Sequence, residues 1–149
     1  MNLDRLSYTV SVFCLVSKTS QTHQKDILLM KRLNTGWKDD WYSLPAWHMD
    51  GNETPREALK RELFEELGIQ THVDDMIFYG VQYCRSNDER INLYFELSKR
   101  SGDIFNKEPH KCSEILRCDI NVLPQQMTYC KQIIIDHQIT STQYHETLS

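Results

Sequence analysis

The chain has 149 residues and a formal net charge of −4 at pH 7, a length that suits one domain, residues 1–149, around one hydrophobic core. Its basic residues come only in short groups such as Lys31-Arg32 and Lys99-Arg100, so no nucleic-acid polymer is expected as a partner. No run approaches the roughly 20 apolar residues of a membrane span. The start, Met1 to Leu6, carries Asp4 and Arg5 and leads into no long apolar stretch. Neither a membrane anchor nor a secretory signal is expected, and a cytoplasmic protein is. Cys14, Cys84, Cys112, Cys118 and Cys130 are odd in number and form no Cys-x-x-Cys pair, which favours scattered free thiols.

Taken in chain order, Tyr8 to Ser17 alternates and is rich in β-branched residues, so it reads as a strand. A polar loop from Lys18 to Lys25 leads into a returning strand, Asp26 to Arg32. Asn34-Thr35-Gly36 is turn chemistry, and Trp41 to Leu44 is a short extended stretch ended by Pro45. The clearest helix follows. Thr54 caps it, Pro55 fits its first position, Glu57 completes a capping box, and Gly68 fits the position just past its end. Leu59, Leu63 and Leu67 share the side that faces a core.

Extended runs then cover Met76 to Cys84, Ile91 to Leu97 and, more weakly, Ile115 to Ile120. Ser86 to Arg90 is a turn and Ser101 to Lys111 a loop. Val122 to Gln138 reads as a closing helix that starts near Pro124, and the polar residues from Ser141 to Ser149 read as a frayed tail. The core therefore runs from about residue 7 to 138. The order β-β-β-α-β-β-β-α suits an α/β fold, a mixed sheet between helices.

Chemistry concentrates on the first helix. Glu62, Glu65 and Glu66 stand at i, i+3 and i+4 and share one face beside the apolar stripe. Three carboxylates there repel one another. Converging hard oxygen donors at the edge of a core are what Mg²⁺ or Mn²⁺ requires, and a cation would remove the repulsion. It would also let an acidic protein hold a phosphorylated ligand.

The spacing is specific. Glu53 precedes Arg61 by eight residues, and Arg61-Glu62-Leu63-Phe64-Glu65-Glu66-Leu67-Gly68-Ile69 follows without a break. This resembles the Nudix box: Gly, five residues, Glu, seven residues, then Arg-Glu-apolar-any-Glu-Glu-any-Gly-apolar. Eight of its nine specified positions match. Leu44-Pro45 and His48 are similar to the family's Leu-Pro-Gly-Gly-His lead-in. Looser likeness to MutT-like members extends over Arg32 to Gly36, Glu108 to Glu114 and Leu123-Pro124. One position departs: the first Gly of the box is Trp47, preceded by Ala46. Glycine is usually placed where φ is positive or another group comes close.

The resemblance implies an α/β/α sandwich and a Mg²⁺-dependent hydrolase, with Mn²⁺ as the alternative ion. It implies metal ligation by Glu62, Glu65, Glu66 and the Ala46 carbonyl. Glu108 or Glu114, with Glu108 preferred, would complete the set. Arg61 would pair with Glu53 to hold the loop on the helix. Members often form homodimers, which is carried over as an expectation. Substrate contacts are sought among aromatics and polar residues, of which Trp47, Tyr83, Phe13 and Arg85 are the chosen candidates. The first expected activity is conversion of a nucleoside triphosphate to monophosphate and pyrophosphate. The second is cleavage of another small nucleotide-like diphosphate: ADP-ribose, a nucleotide sugar or a dinucleoside polyphosphate. A third reading, a nucleotide-binding module with weakened catalysis, rests on Trp47.

Overall fold

The computed structural model describes residues 5–149, so the reading of Met1 and Asp4 lies outside the described residues. Strands β1 (Thr9–Thr19) and β2 (Lys25–Arg32) are followed by two short strands, β3 (Tyr42–Ser43) and β4 (Ala46–His48). Helix α1 spans Pro55–Leu67, with β5 (Met76–Arg85), β6 (Glu89–Leu97) and β7 (Cys112–Asp119) after it. Helix α2 (Cys130–Thr140) and β8 (Tyr144–Leu148) close the chain.

The strands form one mixed sheet of order β3-β2-β1-β6-β5-β8, with β4 on β1 and β7 on β2. Strand β1 pairs parallel with β6 from Thr9 to Val16. Its other edge divides. Residues Ser11 to Phe13 bind β4, and Ser17 to Thr19 bind β2. The sheet forks at β1, and the candidate site lies in the fork.

Alternation along β1 builds a core on each side of the sheet. Val12, Cys14 and Val16 pack with Leu59, Leu63 and Leu67 of α1. Phe13 and Leu15 face the other way, with Ile133 and Ile134 of α2. The result is the expected α/β/α sandwich. Helix α1 starts as its sequence dictates: the Thr54 hydroxyl accepts from the Glu57 N–H, and the Glu57 carboxylate accepts from the Thr54 N–H. It stops at Gly68, which takes φ of 73°, and whose N–H donates to the helix's last carbonyls.

Three expectations change. The extended stretch is shorter than expected, since β3 covers only Tyr42–Ser43, and a further strand, β4, follows Pro45 on the edge of β1. The closing helix begins at Cys130, not near Pro124. The intervening backbone is drawn to β3: the Tyr42 N–H donates to Gln126 O, and the Thr128 N–H donates to Tyr42 O. The tail is not frayed. Residues Tyr144 to Leu148 pair parallel with Val81 to Arg85, and the Gln82 side chain donates to Thr147 Oγ1 at 2.7 Å. No helix among the described residues is long and apolar enough to cross a membrane.

Candidate active site

Arg61 is the hub of the loop before α1 and of the helix's acidic face. Its Nη2 lies 2.7 Å from Glu53 Oε1, and its Nη1 lies 2.7 Å from Glu62 Oε1 and 3.3 Å from Glu65 Oε2. A fork of rigid N–H donors suits such multiple pairing. Glu53 is held below the usual carboxylate range, chiefly by its hydrogen bond from Arg61, and the same contact raises the guanidinium's own pKa. The expected Arg61–Glu53 clasp is present.

Glu66 stands apart from that hub. It lines a cavity of about 310 Å³ in the fork of the sheet, together with Glu108, Lys31, Arg32 and Lys111. Its carboxyl is pushed up to about 7 by burial first, against a lowering hydrogen bond from Trp47, with the negative charges of Glu108 and Glu62 adding to the rise. The chain thus gathers carboxylates that resist ionising together and lines the same cavity with cationic side chains. Glu114, the alternative to Glu108, is engaged elsewhere and accepts from the Tyr42 hydroxyl at 2.9 Å.

Trp47 does not need the conformation that glycine would supply. It lies in extended backbone, paired with Val12, and is not among the residues with positive φ. Its ring packs against the α1 core, and its indole N–H donates to Glu66 Oε2. A bulky side chain is accommodated by turning edge-on to the carboxylate. Ala46, one residue earlier, lines the same cavity.

A second cavity, of about 130 Å³, adjoins the first and shares Arg32, Ser43, Ala46, Trp47 and His48 with it. Phe13 lines it, as does Asn92, while Trp37 and Tyr129 form a tilted aromatic pair with centroids 5.1 Å apart. Two of the chosen substrate contacts are placed elsewhere. Tyr83 turns to the opposite face of β5, where its hydroxyl donates to Glu89 at 2.9 Å and its ring meets Tyr8. Arg85 is exposed at the end of β5 and lines neither cavity. Strand alternation explains both, since the site side of β5 carries Gln82 and the two odd-numbered neighbours point away.

Lys31, Lys111, Asn92, Arg90 and Tyr129 were not singled out from sequence as site residues. One signal was available for Asn92, a polar residue inside the apolar run from Ile91 to Leu97. A larger groove of about 710 Å³ runs along the other flank of α1, lined by residues such as Phe64, Ile69, Lys99 and Arg100. It is roomier but lacks Glu66 and Glu108, so size alone does not locate the chemistry.

Among the described residues no three His, Cys, Asp or Glu side chains converge as a ready-made cation cage. The donor set is nonetheless of the right kind. Glu62, Glu65 and Glu66 lie on one helix face, and Glu66 is close enough to Glu62 and Glu108 for their charges to raise its pKa. Hard oxygen donors that repel one another fit a divalent cation.

The chain matches the NUDIX domain family over residues 7–137 and belongs to that family. An ADP-ribose pyrophosphatase of Methanocaldococcus jannaschii is 32% identical over 114 residues, covering 74% of this chain and 64% of that protein. The match thus spans somewhat less than two thirds of that relative. A MutT NUDIX hydrolase from Burkholderia pseudomallei has the same fold at a TM-score of 0.76, with 21% identity over 88% of this chain and 98% of its own. The E. coli ORF135 protein does so at 0.75, with 15% identity over 95% and 96%.

Proposed function

We propose that the protein is a divalent-cation-dependent pyrophosphohydrolase that cleaves the diphosphate linkage of a nucleoside diphosphate derivative. The observation that carries this is the cavity lined by Glu66 and Glu108 together with Lys31, Arg32 and Lys111. A diphosphate is a concentrated anion, and a site for it needs cationic side chains for its oxygens together with carboxylates for a metal. Both kinds of side chain line the same cavity.

Glu62, Glu65 and Glu66, with Glu108 and the Ala46 carbonyl, would hold Mg²⁺. When bound, the cation offsets the diphosphate's charge and acidifies a water. The chain's own residues do the rest. Lys31, Arg32 and Lys111 bind phosphate oxygens and orient the linkage. Arg61 keeps Glu62 and Glu65 in position. Water adds to one phosphorus, the P–O–P bond breaks, and the proton passes to a carboxylate. Glu66 is assigned that proton, because it is the member of the trio that lines the cavity. The products are two phosphate esters or, from a nucleoside triphosphate, a monophosphate and pyrophosphate.

ADP-ribose comes first among substrates, because a relative 32% identical carries that activity in its name. Nucleoside triphosphates, nucleotide sugars and dinucleoside polyphosphates complete the test panel. The purified protein is incubated with Mg²⁺ and each compound, and product release is followed with and without chelator. Turnover that requires the cation and disappears in Glu66→Gln is expected. Absence of turnover across the panel would overturn the enzymatic reading and leave a nucleotide-binding module.

A further inference from the structure

Two residues of the charged cavity come from one short turn. Glu108, Pro109, His110 and Lys111 form a β-turn, closed by the Lys111 N–H, which donates to Glu108 O at 3.0 Å. Pro109 takes its second position, where a fixed φ suits the turn. The first and last residues, Glu108 and Lys111, both line the cavity. A carboxylate for the cation and a cation for the diphosphate are thus carried on one unit.

The turn is tied to its surroundings through backbone groups. Before it, the Phe105 N–H donates to Leu67 O at 3.2 Å and the Lys107 N–H donates to Glu66 O at 3.0 Å. Both acceptors belong to the last turn of α1, whose carbonyls find no donor within the helix. Lys107 Nζ adds a bond to Phe64 O at 3.2 Å, a favourable place for a cation. On the far side, Asn34 Nδ2 donates to His110 O at 3.1 Å, and the Leu33 N–H donates to Lys111 O at 2.9 Å.

One side chain joins the segment docked on α1 to the turn itself. Asn106 lies between Phe105 and Lys107 and lines none of the three cavities described above. Its Oδ1 accepts from the Glu108 N–H at 3.0 Å, and its Nδ2 donates to Cys112 O at 2.6 Å. Both partners are backbone groups, one able only to donate and the other only to accept, so the orientation of the amide is fixed. The two bonds bracket the turn, one at its first residue and one just past its last. Aspartate in the same place would set an oxygen against the Cys112 carbonyl. The neighbours of Asn106 hold the backbone of Glu66, and its side chain holds the backbone of Glu108. The spacing of the two carboxylates that line the cavity is therefore set through this residue.

We infer that Asn106 is a positioning residue that fixes Glu108 and Lys111 relative to Glu66 and so couples the cation site to the diphosphate site. The roles of Glu108 and Lys111 rest on the hydrolase reading above, but cation binding itself needs no turnover. Without the clamp the turn samples other arrangements and must be ordered each time a ligand binds. The loss then falls on both affinities together and spares the chemical step.

Mn²⁺ binding, followed by loss of the free ion's electron paramagnetic resonance signal, is measured for the unaltered protein, Asn106→Ala, Asn106→Leu and Glu108→Gln. In both Asn106 variants the Kd for Mn²⁺ is expected to rise about 10- to 100-fold. The KM of the best panel substrate is expected to rise with it, while kcat at saturating cation and substrate stays within about threefold. Adding Asn106→Ala to Glu108→Gln is expected to raise the Kd no further, because the two act through one group. A Kd within about twofold of the unaltered protein's, in an Asn106 variant that keeps its circular dichroism, overturns the inference. So does a fall in kcat with both affinities unchanged, the sign of a smaller folded fraction. In the unaltered protein the Glu108 amide is expected to be protected from hydrogen exchange, and free exchange there overturns the inference whether or not the variants fold. Weakened Mn²⁺ binding in the variants without turnover on the panel would sink the hydrolase reading alone. Turnover with unchanged Mn²⁺ affinity in Asn106→Ala would sink this one alone.

Discussion

The two adjoining cavities share five residues and are built by opposite means. The larger is made of charge: Glu66 and Glu108 line it together with Lys31, Arg32 and Lys111. The Glu66 carboxyl is raised to about 7 by burial and neighbouring acids. The smaller holds no carboxylate and is lined by the rings of Phe13, Trp37 and Tyr129 with polar side chains such as Arg90 and Asn92. In the function proposed above, the first takes the diphosphate and carries the chemistry. The first draws its carboxylate Glu66 from a helix defined by short-range spacing, and the second is assembled from β1, β6 and the segments before β3 and α2.

The contrast can be broken most strongly at Glu66. Replacement by Gln keeps the shape and removes the charge, and a loss of about 10²–10⁴ in kcat is expected, with the fold intact by circular dichroism. A loss under tenfold would move the essential carboxylate elsewhere. Next comes Leu63→Ala. Leu63 is fully buried beneath the acidic face, and deleting its side chain is expected to cost about 2–5 kcal/mol of stability in denaturant unfolding. That experiment separates the helix's packing role from its chemistry, because the carboxylates are untouched.

Arg61→Ala sharpens the same region. Glu53, Glu62 and Glu65 lose their common partner. The expected result is a lower kcat together with a melting temperature reduced by a few degrees, since pairs this exposed contribute modestly. A large loss of activity with no effect of added Mg²⁺ concentration would contradict its assignment as a positioning residue.

Trp47→Phe probes the shared wall. The ring is kept and the N–H to Glu66 is lost. That hydrogen bond lowers the Glu66 pKa, so its removal should raise it further. In chelator, the protonation of Glu66 followed by NMR is expected to shift to higher pH in the variant. The smallest effect is on stability. The folded-state pKa of Glu66 lies above its ordinary value of 4.5, so folding favours its protonated form. The associated stability is complete below about pH 4.5 and is lost as pH rises through about 7. Without metal, Glu66→Gln should therefore gain on the unaltered protein in melting temperature between about pH 5 and pH 8. A constant difference would show that Glu66 feels no such strain.

How much could be read beforehand follows the same division. The box helix was legible almost residue by residue, because capping, apolar period and acid spacing are local and lie between Thr54 and Gly68. The Arg61–Glu53 clasp was legible for the same reason. The cationic lining of the cavity was not. Lys31 and Arg32 come from β2 and Lys111 from the loop before β7, and only the β2–β7 pairing brings those elements together. Tyr83 and Arg85 were chosen on chemistry without their strand face, and the pleat turned them away. Val122 to Thr128 carries no strong non-helical signal after Pro124, yet it is claimed by β3 through Tyr42. The tail's pairing with β5 likewise depends on a partner more than 60 residues away, Val81 with Tyr144 for example. Trp47 is a different case. A glycine pattern described the usual backbone there, and here the backbone is an ordinary strand.

The central claim is that the charged cavity is where the cation and the diphosphate meet. It is tested most directly by titrating Mg²⁺ into turnover of the best panel substrate, for the unaltered protein, Glu66→Gln and Lys111→Met. The expected result is a cation requirement in the unaltered protein, near-complete loss of kcat in Glu66→Gln at every Mg²⁺ concentration, and a raised KM with largely kept kcat in Lys111→Met. Turnover that is unchanged in both variants, or that proceeds fully in chelator, would contradict it.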